Sequence, residues 1–196
     1  MFNKLFFIAV ALLLFASCKK TRGCTDSEAL NYNPDAAKDD RSCYYYWIGQ
    51  NYGGGKVFYI DVTKKHGLIA ADFDLGNGFP WGCLNSNVNG SDGAIVGAGM
   101  QNTLDIVNGC GAGTAAYACD TLDTLGFSDW YLPSKEELKG LASAFISLGQ
   151  GNFTGAYYFT SSEIDSETVW GVYGSNGAEV TLSKSTFGIV RPIRSF

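Results

Sequence analysis

The sequence predicts an α+β domain of short antiparallel strands, two to three helices and long loops. Three observations lead there. Strand-like apolar runs fall at both ends of the main domain, and helical periodicity fills its middle. Glycine is abundant, 25 residues against 4 prolines, which calls for many tight turns and hence many short strands. One helix is marked by both its cap and its face. In Gly126–Leu141 (GFSDWYLPSKEELKGL), Pro133 holds the residue before it out of the helical region. Ser134 is placed as an N-cap, and Glu137 three residues on completes a capping box. Leu138, Leu141, Ala142 and Phe145 then form one apolar stripe, with Trp130 and Tyr131 expected in the core beside it.

The chain has 196 residues, 46% hydrophobic and 14% aromatic, enough for one domain with a proper core plus attachments. A net charge of −5 without a basic cluster argues against nucleic acid as a partner. At the start, Lys4 precedes an apolar run, Leu5–Phe15, too short to span a bilayer comfortably, and the run ends in Phe15-Ala16-Ser17-Cys18. Small residues just before a cysteine resemble a bacterial lipoprotein signal. The resemblance implies that residues 1–17 are removed, that Cys18 is acylated, and that residues 18–22 form a lipidated tether. An ordinary secretory signal is the alternative. Lys19 differs from an Asp-type inner-membrane retention signal, so the outer membrane is the expected location, on its periplasmic or surface face.

Residues 23–43 (GCTDSEALNYNPDAAKDDRSC) form a turn-rich unit bracketed by Cys24 and Cys43, for which export makes a disulfide plausible. The segment resembles a short GCTD…DD-SC repeat of Bacteroidetes-type surface proteins. Asp35, Asp39 and Asp40 could offer oxygens to calcium, but EF-hand spacing is missing, so a disulfide-closed spacer is favoured.

The main domain is expected over residues 44–196. Gly53-Gly54-Gly55 is a turn, since no helix pattern or Lys-Ser/Thr follows as a phosphate loop requires. Runs 57–62 and 68–71 form a hairpin whose turn carries His66, the single histidine. Residues 72–99 are rich in Gly, Asn, Ser and Asp and lack periodicity, and loops this long inside a domain are commonly functional. Phe73, Phe79 and Trp81 argue against disorder there. Two short helices follow, one facing inward through Met100, Leu104 and Val107. The other faces inward through Ala115, Ala118, Cys119 and Leu122, with Thr114 as its cap. Cys83–Cys110 is the preferred second disulfide, leaving Cys119 a buried thiol, with Cys110–Cys119 as the other pairing. After the capped helix, strands at 157–161, 169–173, 178–183 and 187–193 read as a meander, with Pro192 confining its end to an edge or bulge.

The motifs GGKVFY (54–59), GLIAA (67–71), QNT (101–103), DWYLPSKEEL (129–138), FTSSE (159–163) and VRPIR (190–194) together resemble the Lcl C-terminal domain family. The resemblance covers about Trp47–Phe196. It implies a C-type-lectin-like superfold, shared with the formylglycine-generating enzymes, and a surface binding module. A member of that family is an adhesin for sulfated glycosaminoglycans. Here, from Tyr44 onward, eight Lys and Arg stand against fourteen Asp and Glu, so a polyanion is disfavoured. Arg191 and Arg194 are expected to pair with local acids such as Glu163.

An enzyme is not expected. One histidine allows no His-based metal cluster and no evident Ser-His-Asp set, and adjacent Glu136 and Glu137 point apart. Cys110 and Cys119 could mimic the reactive pair of related oxidases, but nothing basic nearby would lower a thiol pKa. No cofactor or metal is expected. Binding fits better: Trp81 with Asn85, Asn87, Asn89 and Asp92 offers an aromatic platform among amides and a carboxylate. The Glu-Pro-Asn or Gln-Pro-Asp and Trp-Asn-Asp triplets of calcium lectins are missing, so binding is expected to be calcium-independent. The expected partner is a glycan or an extracellular or envelope protein. The alternative is an accessory lipoprotein docking through an exposed apolar patch around Phe79 and Trp81.

Overall fold

A computed structural model of the chain describes residues 20–76, 78–150 and 152–196. Cys18 and the signal segment lie outside the described residues. Among the described residues no helix is long and apolar enough to cross a membrane. The chain divides into two compact units between Tyr44 and Tyr45.

In the first unit β1 (Arg22–Gly23) pairs in parallel with β2 (Lys38–Asp39), and a disulfide joins Cys24 to Cys43. Its acids shape turns. Asp39 accepts from the Arg41 N–H and Asp40 from the Ser42 N–H, each at 3.0 Å. These are short Asx turns, which let a segment with little apolar material hold a fixed path.

The second unit is α+β. Its first sheet has the order β11-β5-β4-β3, all antiparallel: β3 (Asn51–Tyr52), β4 (Gly55–Ile60), β5 (Gly67–Ala71) and β11 (Ile193–Ser195). Gly53 and Gly54 make the β3–β4 turn with φ of 54° and 87°, the two consecutive positive values that a tight hairpin requires. A second, three-stranded sheet is the meander β7 (Tyr157–Glu163), β8 (Thr168–Tyr173) and β9 (Glu179–Ser183). A small ladder joins β6 (Phe79–Pro80) to β10 (Phe187–Gly188). The expected fourth meander strand is therefore absent. Residues 187–193 divide instead: their start pairs with β6, and their end leaves to become the edge strand β11 beside β5, with Pro192 just outside it.

Three helices lie between the sheets' strands: α1 (Gly99–Cys110), α2 (Ala115–Asp120) and α3 (Lys135–Leu148). α3 begins with a complete Ser134/Glu137 capping box and buries Leu138, Leu141, Ala142 and Phe145. These side chains pack with Phe58, Leu68, Tyr131 and Ile193. α2 is capped by Thr114 and buries Ala115, Ala116 and Cys119. α1 is rotated from the expected stripe. Met100 and Leu104 are exposed, while Asn102, Thr103 and Ile106 face inward. The reason is what the helix meets: Asn102 Nδ2 donates to Gly93 O at 2.6 Å and to Ser161 Oγ at 3.2 Å, so polar neighbours claim the inner face.

Both arginines pair with acids other than the expected one. Arg191 binds Asp74 at 2.5 Å, and Arg194 makes a two-pronged contact with Asp129 at 2.7 and 2.8 Å. Glu163 is occupied by Lys184.

Candidate functional site

The long loop, residues 72–99, is irregular apart from β6; Trp81 and Val88 anchor it in an apolar cluster with Ile106, Leu132 and Phe159, and hydrogen bonds fix the rest of its backbone. Two buried polar nodes do this. At the first, strand β7 ends in Thr160-Ser161-Ser162-Glu163, four consecutive buried polar residues. Glu163 forms an ion pair with Lys184 in the interior. The Glu163 carboxylate also accepts the Val88 N–H at 3.0 Å, while Lys184 donates to Ser86 O at 2.7 Å. Residues 86–88 thus wrap around a charge pair whose remaining hydrogen-bonding capacity the loop backbone satisfies, the condition under which a buried pair is tolerable.

At the second node the start of α3 captures the following stretch. The Glu136 N–H donates to Ala94 O at 2.9 Å, and Ser134 Oγ donates to Ile95 O at 2.8 Å. Glu137 Oε1 accepts the Gly97 N–H at 2.8 Å and its Oε2 accepts the Ser134 N–H at 2.8 Å. A Cβ on Gly99 would lie 2.2 Å from Glu137 Oε2, so only glycine lets α1 start this close. Burial raises the Glu137 pKa above the usual carboxylate value, and these donors oppose the shift. The neighbouring Tyr131 phenol is pushed up by its own burial and by the Glu137 carboxylate. The Cys83–Cys110 disulfide adds a covalent tie between the loop and the end of α1.

Trp81 is not the exposed platform expected of it. The ring is 0% exposed, its Nε1 donates to Thr160 O at 2.8 Å, and the Lys184 ammonium lies 4.9 Å from its centre. Its indole N–H needs a partner when buried, and the edge of β7 supplies one. Trp81 is therefore core beneath the loop. Phe79 is half-buried. Ile95 and Val96, at the end of the loop, and Met100 and Leu104, on α1, are exposed.

Asn85, Asn87, Asn89 and Asp92 are all exposed. Asn87, Asn89 and Asp92 come together on an open polar cleft of about 250 Å³, whose inner wall is Glu163. Asn85 stands outside it. Its φ of 65° is a turn conformation that asparagine tolerates better than most residues. Sequence reasoning missed Glu163, Lys184, Asn102, Ser161 and Ser162 as the scaffold of this surface. The available signal was the run TSSE at 160–163, which fails to alternate where a half-buried strand should.

Cys119 is the free cysteine among the described residues, and burial drives its thiol pKa far up. Among the described residues no group of three or more His, Cys, Asp or Glu could hold a metal ion. No protein-family model matches the chain, and no curated protein is significantly similar to it.

Proposed function

We propose that the chain is an envelope lipoprotein, anchored through Cys18 in the outer membrane, whose main domain is a non-catalytic binding module of C-type-lectin-like kind for a glycan or an extracellular protein. The observation that carries this reading is the pre-organised surface at Asn87, Asn89 and Asp92. Amides and a carboxylate project from a loop whose backbone is already fixed by the two buried nodes. A loop fixed before binding has less entropy to lose when it binds. The cysteines support a non-catalytic reading: Cys110 is spent in a disulfide, and Cys119 is a buried thiol held in its inert form.

The test is a glycan and envelope-protein panel against the full chain and an Asn87→Ala/Asn89→Ala/Asp92→Ala variant. At least about tenfold weaker binding is expected, or ~1.4 kcal/mol, with the melting temperature unchanged and no effect of chelator. Ligands that bind the variant equally well, or that are lost to chelator, would overturn the reading. Cys18→Ser should move the protein from the detergent to the aqueous phase. A second reading, docking to another envelope protein, is favoured by the exposed Ile95, Val96, Met100 and Leu104. Charge substitution at Met100 and Leu104 would then abolish capture, while the triple variant would not.

A further inference from the structure

A different cleft, of about 450 Å³, opens along the first sheet of the main domain. Its walls are Tyr46, Tyr52 and Phe196, whose ring centres lie 4.5–5.3 Å apart in tilted and edge contacts. Its floor is the Arg194 guanidinium, lying 4.1 Å from the centre of the Phe127 ring. Lys65 and His66, from the β4–β5 turn, stand at the rim.

The donor inventory of Arg194 is informative. A guanidinium carries five N–H donors. Nε and one Nη2 hydrogen go to Asp129, and one Nη1 hydrogen goes to Gly53 O at 3.2 Å. One N–H on Nη1 and one on Nη2 are left without a protein acceptor among the described residues, on a residue only 9% exposed that lines the cleft. The space above them is kept open by Gly53, where a Cβ would sit 2.8 Å from Nη1. Asp129 orients the guanidinium and balances its charge. The Lys65 ammonium at the rim carries no ion pair among the described residues. The two remaining N–H groups, one on each Nη, can donate to the two oxygens of a carboxylate, and the aromatic walls match a ring.

We propose that this cleft binds a small monoanion that carries its carboxylate on a ring, the carboxylate meeting Arg194 and Lys65 and the ring lying against Tyr52 and Phe196. Aromatic acids and sugar acids share that chemistry. The site is separate from the loop surface and does not depend on it.

The test is calorimetric titration of the full chain with benzoate and with D-galacturonate, using benzamide and D-glucose as neutral counterparts. Saturable binding of at least one acid is expected, with Kd about 1 mM or tighter and the neutral counterpart at least about tenfold weaker. Binding of benzoate alone identifies an aromatic acid, and of galacturonate alone a sugar acid. Tyr52→Ala and Lys65→Gln change exposed side chains and should each weaken binding about threefold to tenfold, while the Asn87→Ala/Asn89→Ala/Asp92→Ala variant should bind as the parent does. The proposal is overturned if neither acid saturates, if the neutral counterparts bind equally, or if both cleft variants keep full affinity.

Discussion

Around α3, β4 and β5 the interior is filled by Leu138, Leu141, Phe145 and Phe58. Beneath α1 and the long loop an apolar cluster of Trp81, Val88, Ile106, Leu132 and Phe159 is joined by buried Asn102, Thr103, Ser161, Ser162 and the Glu163–Lys184 pair. Both regions exclude water, but they respond differently to change. An apolar core loses stability in proportion to the volume removed and can partly relax. A buried polar network loses little while every partner is present and much when one is removed, because the orphaned group cannot regain water. The region that presents the candidate surface adds a network of the second kind to an apolar cluster. Its loop buries Trp81 and Val88, and hydrogen bonds to fixed neighbours specify the path of the rest of its backbone.

The sharpest way to break the contrast is Glu163→Ala. It strands the Lys184 ammonium and removes the acceptor of the Val88 N–H, and it should cost about 3–5 kcal/mol by urea unfolding. Glu163→Leu combined with Lys184→Met should recover most of that loss, since it removes both charges. A single variant costing under about 1 kcal/mol would mean that the pair does not hold the loop. In the apolar region Leu141→Ala should cost about 3 kcal/mol, and no second substitution should rescue it in the same way. Ser134→Ala, at the junction of the two regions, removes both the α3 cap and the tie to Ile95 O, and about 1 kcal/mol is expected.

The smallest effect is a slope. The Glu137 pKa is raised in the fold from a reference of 4.5, so the native state favours its protonated form. Its contribution is complete below pH 4.5 and is lost as pH rises through the raised value. The urea midpoint should therefore decline over that window, and Glu137→Gln should flatten the decline. Asp129 has the opposite sign. Its bond with Arg194 lowers its pKa, so its contribution is present above the reference of 3.8 and is lost as pH falls through the lowered value. Asp129→Asn should therefore weaken stability at neutral pH and remove that acid-side loss.

What the sequence revealed was whatever is decided locally. The α3 cap lies within four residues and its stripe within eight, and both are as read. The turn at Gly53-Gly54 and the hairpin after it are equally local. α1 was misread although its periodicity is genuine, because the face that turns inward is chosen by Gly93 and Ser161, one of them far along the chain. Trp81 was misread for the same reason. Its composition suits a platform, but Thr160 and Lys184 close over it. Of the expected surface, Asn87, Asn89 and Asp92 stand together because they need only be exposed on one loop. The arginine partners Asp74 and Asp129 were beyond reach, as ion pairs across more than sixty residues leave no periodic trace.

The placement of β11 also sets an order of assembly. Residues 193–195 pair with 68–70, and Ile193 exchanges backbone bonds with Tyr131 on its other side. A contact between such distant segments must overcome a large loop-closure entropy before it returns any stability, which slows folding. A chain emerging from its N-terminal end makes the β4–β5 hairpin early and then carries β5 with one open, apolar edge until the last strand is available. Throughout that interval the edge can pair with a neighbouring chain as readily as with its own end. The last three-residue strand therefore serves as the cover that ends this exposure of β5.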